Sequence, residues 1–146
     1  MDETDKKILN LLLENSKLSY RKIAQRLGIS TATVMNRVNA LKKESIIKKY
    51  TARLDYEKAG YDISVMIDVR VSKGKLLEVE NHIASFPSVS AVYDTTGHFD
   101  AVILASFKNR KNLDEFLKKI QTFDFVEHTE TRLILNKVKE DFIKVG

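Results

Sequence analysis

Apolar residues recur at helical intervals through the first 44 positions and at every second position in several later stretches, and this change of period divides the chain in two. Over residues 4–15, Ile8, Leu9, Leu11, Leu12 and Leu13 fall at helical spacings with Asp5, Lys6, Lys7 and Asn10 between them, which predicts a first helix. Residues 16–18 break it. Ser19 is a good N-cap for a second helix that carries Ile23, Ala24 and Leu27 on one face and stops at Gly28. Ser30 caps a third, in which Val34, Val38 and Leu41 recur at spacings of four and three until about Glu44. Residues 46–54 alternate loosely and include Tyr50 and Thr51, so they read as a strand leaving the helical unit, with a connector over 56–60. The expected layout is a first domain over 1–55, a linker over 56–60 and a second domain over 61–146.

In the second part Ile63, Val65, Ile67, Val69 and Val71 alternate with Ser64, Met66, Asp68 and Arg70, the two-residue repeat of a strand. A helix over about 75–86 follows, with Leu76, Val79 and Ile83 inward. Residues 88–94 and 100–107 read as strands joined by a loop of Thr95, Thr96, Gly97, His98 and Phe99. Leu113, Phe116, Leu117 and Ile120 mark another amphipathic helix, and a last strand runs over about 126–136, with a polar tail beyond. The order is βαββαβ, so the predicted fold is α+β: a three-helix helix-turn-helix domain followed by a ferredoxin-like domain whose sheet carries two helices on one face.

Two helices leave the other face of that sheet uncovered. The strand over 100–107 is apolar on both sides, with Ala101, Ile103, Ala105 and Phe107 on one and Val102 and Leu104 on the other. By alternation Met66 and Val92 join the outer set. A second copy of the sheet is the most economical cover, so a homodimer is expected; the alternative is that 46–54 folds back over this face.

Composition narrows the chemistry. Hydrophobic residues make up 43% and charged residues 31% of the 146 positions, as in an ordinary globular chain. There is no Cys, which excludes disulfides, thiolate metal sites and cysteine nucleophiles. The first residues are acidic where a signal peptide is basic, and no run of about 18 apolar residues occurs, so a cytoplasmic protein without a membrane partner is expected. Net charge is unevenly spread: residues 1–55 hold 12 Lys or Arg against 6 Asp or Glu, a net of +6, while 56–146 hold 13 against 14, a net of −1. Concentrating the cations on a helix-turn-helix points to a polyanion, because Lys and Arg draw phosphates and release condensed counterions.

With Val34, Val38 and Leu41 turned inward, the third helix offers Thr31, Ala32, Thr33, Met35, Asn36 and Asn39 to the major groove of double-stranded DNA. Asn pairs bidentately with adenine, Thr donates or accepts, and Ala, Met or a Thr methyl meets the thymine methyl. Arg37 suits guanine or phosphate. Ser19, Tyr20, Lys22 and Arg26, at the start and on the outer side of the second helix, suit phosphates, as does Ser30 at the head of the third. The rival for each is an exposed polar residue that is only solvated. An architectural DNA-compacting protein would use the same helices with little sequence preference. Catalysis is not expected: His82, His98 and His128 are widely spaced, no glycine loop for a nucleotide is present, and neither a metal nor a cofactor is called for.

These residues together resemble the Lrp/AsnC family of transcription regulators, the leucine-responsive and asparagine regulators. The likeness rests on Leu18, Ser19, Tyr20, Ile23, Ala24, Leu27 and Gly28, on Ser30 to Leu41 with Arg37 and Val38, on Ile46, Ile47, Tyr50, Leu54 and Gly60, and on Gly97, His98, Phe99 and Asp100. It implies regulation of amino-acid metabolism, dimers built through the ferredoxin-like domain, and assembly into tetramers or octamers. It also implies an amino-acid effector at Gly97, His98, Phe99 and Asp100, with Thr129 and Thr131 nearby, at contacts between dimers. Gly97 permits close backbone approach and Asp100 offers charge to an ammonium group, against the plainer role of Asp100 bonding its own turn. One departure is Ser45, where the family usually has Gly to end the third helix; Ser tolerates the left-handed conformation less well.

Overall fold

The computed structural model describes residues 1–146 in the order α1 (Glu3–Glu14), α2 (Tyr20–Leu27), α3 (Thr31–Lys43), β1 (Ile63–Val71), α4 (Leu76–Ala84), β2 (Val89–Asp94), β3 (Ala101–Phe107), α5 (Arg110–Gln121) and β4 (Val126–Leu133). Contacts group these into one unit of Met1–Arg53 with Lys139–Gly146 and another of Leu54–Val138.

In the first unit each helix begins on a side-chain cap. Asp2 and Asp5 cap α1 reciprocally, each carboxylate accepting the other's backbone N–H at 3.0 and 2.9 Å. Ser19 accepts from Lys22 N–H at the head of α2, and Ser30 from Thr33 N–H at the head of α3. The 8-residue α2 is too short to hold itself in water, where about 12–15 residues are needed, so packing holds it. Ile8 and Leu12 of α1, Ile23 and Ala24 of α2, and Val34 and Val38 of α3 form that core. Ala24 is buried where α2 meets α3, and a larger side chain there would push the helices apart.

Helices α2 and α3 end alike. Gly28 takes φ 67° and the next residue's N–H returns to Ala24 O at 3.1 Å. At the end of α3, Ser45 takes φ 59° while Ile46 N–H bonds Leu41 O at 2.9 Å and Ser45 N–H bonds Lys42 O at 3.0 Å, a Schellman close. The left-handed turn is therefore made by Ser, which carries a Cβ penalty that Gly avoids.

One expectation about the first unit is corrected by the structure. Residues 46–54 form no strand. Ile46 and Ile47 turn back onto Leu41 O, Ile47 packs on the helical core, and the Tyr50 ring lies 5.3 Å from Lys42 Nζ. A strand needs a neighbour for its backbone groups, and loose alternation supplied none. By contacts, residues 139–146 group with the first unit. A connector does lie before β1: Lys58 N–H bonds Asp55 Oδ1, and Tyr61 N–H returns to Tyr56 O across Gly60 at φ 90°.

The second unit is a four-stranded antiparallel sheet in the order β2-β3-β1-β4, with α4 and α5 on one face, the ferredoxin-like arrangement. Val65, Ile67, Val69, Ile103, Ala105 and Phe107 face Val79 and Ile83 of α4 and Phe116 and Ile120 of α5. The outer face carries Met66 opposite Leu104, and Asp68 opposite Val102. Val92, expected on that face, is not there. The register shifts between Val89 and Ala91, which places Val92 opposite Ile103 and into the helix-covered core, and turns Tyr93 outward. A slip of one position exchanges the two faces, and strict alternation cannot foresee it.

Because Ser45 holds a left-handed conformation, Ser45→Gly is expected to stabilise the first unit by about 0.5–1 kcal/mol, read as a raised urea midpoint with unchanged slope.

Candidate nucleic-acid interface and effector loop

Burying Val34, Val38 and Leu41 turns the opposite side of α3 to solvent, where Thr31, Ala32, Met35, Asn36 and Asn39 are all exposed. Asn36 and Asn39 are exposed and lie outside the helical core. Two other predicted contacts are already committed. Thr33 is half-buried and its hydroxyl lies 2.8 Å from Ser30 Oγ, completing the cap. Arg37 donates to Asp2 at 2.6 Å and to Asp5 at 3.0 Å. In the folded chain it thus ties α3 to the head of α1. Nothing within α3 foretells this: Arg37 sits one turn from Val34 and next to Val38, and only the fold brings the two carboxylates to it.

On α2, Ser19 Oγ accepts a backbone N–H yet keeps its own proton to donate, Lys22 is exposed, and Tyr20 is half-buried on the helical core. Arg21 and Arg26, also exposed, extend the cationic side. The capping carboxylate of Asp2 is held down at about 2, first by its bond from Arg37 and then by Asp5 N–H.

In the second unit the loop between β2 and β3 is closed by Thr95 N–H to Asp100 O at 2.9 Å and Thr95 Oγ1 to Phe99 O at 3.2 Å, with Gly97 at φ 106°. The Asp100 carboxylate does not bond its own turn. Its Oδ2 accepts Val71 N–H at 2.8 Å and the Asp100 N–H bonds Val69 O, so the residue staples the loop to β1. Arg70 donates to His98 O and reaches the His98 ring, while the Phe99 ring stacks near His128 at 6.0 Å. Thr129 lies opposite Val69 on the far side of β1, so the loop and Thr129 flank the same point of that strand. Thr129 lines an open cleft of about 210 Å³ with Gln121, Val126, Glu127 and His128. Thr131, opposite Ile67, is exposed outside it, and the cleft contains none of residues 97–100. The predicted effector residues thus lie along one end of the sheet without closing a pocket in one chain. A wider cleft of about 510 Å³, lined by Phe86, Ser106, Lys108, Asn112 and Lys119 among others, holds none of them.

Sequence reading missed Glu80. It projects from α4 to Asp94, at the entrance to the loop, with Oε1 shielded from solvent and unpartnered. Burial, then the nearby Asp94 carboxyl, pushes Glu80 up to about 7. His82 stacks on Phe123 at 4.5 Å, a packing role, and no group of three His, Asp or Glu is placed to hold a metal.

A helix-turn-helix with an outward polar helix, on a chain that also carries a ferredoxin-like domain, defines a class of DNA-binding transcription regulators. Comparison with known proteins gives the family. The family model described as winged helix-turn-helix DNA-binding matches residues 1–48, and that described as Lrp/AsnC ligand binding domain matches residues 64–143. An uncharacterized HTH-type transcriptional regulator of Pyrococcus abyssi is 39% identical over 142 residues, covering 97% of each chain. The HTH-type transcriptional regulator FL11 of Pyrococcus horikoshii is 37% identical over 140 residues, covering 96% of this chain and 93% of its own. Among solved structures, E. coli AsnC superposes with a TM-score of 0.92 at 28% identity, covering 99% of both chains. A Neisseria meningitidis transcriptional regulator solved as its L-Met complex shares the fold, with a TM-score of 0.90 at 23% identity over 100% of this chain and 96% of its own. The chain belongs to the Lrp/AsnC family of transcription regulators. No helix is long and apolar enough to cross a membrane.

Glu80 gives a pH dependence of defined sign. Its folded value lies above the ordinary 4.5, so the folded state binds the proton more tightly and stability falls as pH rises from about 4.5 through about 7. Glu80→Gln is expected to flatten that stretch of the stability curve and to raise stability at pH 8, measured by urea unfolding across the range. For the Arg37 tie the sign is opposite: Asp2 is depressed, so the contribution is present above about 3.8 and lost as pH falls through about 2, and Arg37→Ala should remove it.

Proposed function

We propose that the protein acts as a homodimer whose two α3 helices read paired half-sites in double-stranded DNA, with an amino-acid effector bound at the loop of Gly97, His98, Phe99 and Asp100. The observation that carries the DNA half is the exposed outer face of Thr31, Met35, Asn36 and Asn39 beside the cations of α2. Asn36 and Asn39 recognise base edges; Lys22, Arg21 and Arg26 hold phosphates, with Ser19 donating its hydroxyl. Support for the dimer comes from the outer face of the sheet, where Met66, Val102 and Leu104 are half-buried and Tyr93 is 55% exposed, an apolar face that another copy of the sheet would cover. Support for an effector comes from the match to a ligand-binding domain over 64–143 and from a relative by fold solved with L-Met. The open arrangement of the loop, Thr129 and Thr131 suits a site completed by a second dimer, so tetramers or octamers are part of this reading.

The test is selection of sites from a randomised duplex pool with the full chain, without ligand and with a mixture of free amino acids. An enriched pseudo-palindrome with half-sites about one helical turn apart, roughly 10 base pairs or a multiple, is the expected result. Binding without enrichment would make the protein an architectural one instead, and an unchanged pool with amino acids would remove the effector. On the selected site Asn36→Ala is expected to cost about 1–3 kcal/mol and relax one base preference. Uniform weakening on every duplex would reassign Asn36 to phosphate.

A further inference from the structure

The end of the sheet away from the loop of residues 97–100 carries a cleft that the proposed DNA and effector sites leave unused. Strand pairing sets Ile63 of β1 opposite Phe107 of β3, and beyond this end the chain turns from α4 into β2 and from β3 into α5. The cleft of about 510 Å³ lies there, and every residue that lines it belongs to the second unit. Its size falls within the range of about 300–1,000 Å³ typical of small-molecule sites. One wall is aromatic. Phe86 meets Phe116 edge to face at 5.2 Å, and Phe116 lies 5.2 Å from Phe107. Phe107 and Phe116 are buried, so the core itself fixes this wall before any ligand arrives. Phe86 and Tyr61 are half-buried and line the cleft, which leaves ring surface open to it.

Charge selects the occupant. Lys108 and Lys119 also line the cleft, with Lys108 Nζ 6.0 Å from the centre of the Tyr61 ring and Lys119 Nζ 5.9 Å from that of Phe86. Those distances are at the outer limit of about 6 Å for a cation over a ring, so both contacts are weak. Neither ammonium pairs with a carboxylate. Glu115 is the one acid in the lining, so two cations against one carboxylate give the cleft a net charge of +1. That charge suits a monoanion. A phosphate dianion would meet Glu115 with charge left uncompensated, and an amine would face two ammonium groups. Asn112, on the first turn of α5, gives its backbone N–H to the Asn109 cap and keeps its side-chain amide to donate.

We propose that this cleft binds a small aromatic carboxylate, its ring set against Phe86 and Tyr61 and its carboxylate held by Lys108 and Lys119, with Asn112 donating beside them. Rings and ammonium groups within reach of one another recognise both halves of such a molecule, and the flexible lysine stems allow the ammonium groups to leave the rings for the carboxylate. An aliphatic acid of the same charge would forgo the ring contacts. The cleft contains none of residues 97–100, Thr129 or Thr131, so it stands or falls independently of the effector reading.

The chain has no Trp, so the fluorescence of an added indole reports the ligand alone. Indole-3-acetate is titrated with the full chain, its anisotropy is followed, and backbone amide spectra are recorded over the same titration. The expected result is a saturable rise in anisotropy, with shifts at the amides of Tyr61, Phe86, Ser88, Phe107 and Lys108 and none at residues 97–100. Combining Lys108→Gln with Lys119→Gln, both at exposed positions, should weaken binding about 10-fold while leaving the rest of the amide spectrum in place. Indole-3-acetamide should bind about 10-fold more weakly for want of the charge, and cyclohexylacetate, measured as a competitor, about 3-fold more weakly for want of the ring. No saturable rise up to about 10 mM overturns the site. Shifts confined to residues 97–100 move the ligand to the other end of the sheet and overturn the cleft while leaving the effector reading in place. Binding that the double variant leaves unaltered, or that the neutral amide matches, overturns the lysine clamp. Equal affinity for cyclohexylacetate overturns the choice of an aromatic ligand.

Discussion

The contact on which the rest depends is the buried junction of Ile23 and Ala24 with Val34 and Val38, closed by Ile8 and Leu12. A short α2 has no stability of its own, and α3 could in principle turn any side outward. Burying those two valines decides which side it is. Once they are inside, Met35, Asn36 and Asn39 must be outside, and the polar groups suited to a base edge are presented by the same packing that removes apolar surface from water. Ala24 matters for the same reason: its small side chain sets how closely α2 and α3 approach, and so the depth at which α3 stands out.

Charge acts on a second level. The cations of the first unit divide into those open to a polyanion and those engaged inside the chain. Lys22, Arg21 and Arg26 stand in solvent, but Arg37 is held by Asp2 and Asp5. That pair of carboxylates caps α1 and at the same time anchors α3 to it, so the head of α1 is part of the framework that holds α3 rather than a separate acidic tip. A similar double use appears in the second unit, where an Asp100 carboxylate oxygen takes Val71 N–H and in doing so fixes the loop that carries Gly97 and His98. Glu80, under-partnered beside Asp94 at the mouth of that loop, gives this unit a proton-dependent cost.

Most of the architecture was legible in the residue pattern because it depends on local rules. Ser19, Ser30 and Gly28 mark helix ends by the hydrogen bonds and dihedral angles that those residue types allow, and the alternation through Ile63 to Val71 declares a strand with one buried face. What failed were the features set by partners far away in sequence. Residues 46–54 had alternation enough for a strand but no neighbouring strand to pair with. Val92 changed faces because of a bulge that alternation cannot register. The pairing of Arg37 was not visible because its carboxylates lie 32 and 35 residues earlier. Glu80 looked like any surface acid on a helix because its environment is supplied by another strand.

The sequence by itself determined the two-part plan, the outward face of α3, the concentration of cations on the first unit and the family, since each follows from spacing, composition or a run of matching residues. Tertiary structure alone decided which polar groups are still available after folding, where residues 139–146 attach, and that the loop of residues 97–100, Thr129 and Thr131 share one end of the sheet without enclosing a cavity. The physical reason is the same throughout: propensity and periodicity act between residues a few positions apart, whereas hydrogen-bond partners and burial are settled by whichever segments the fold brings together.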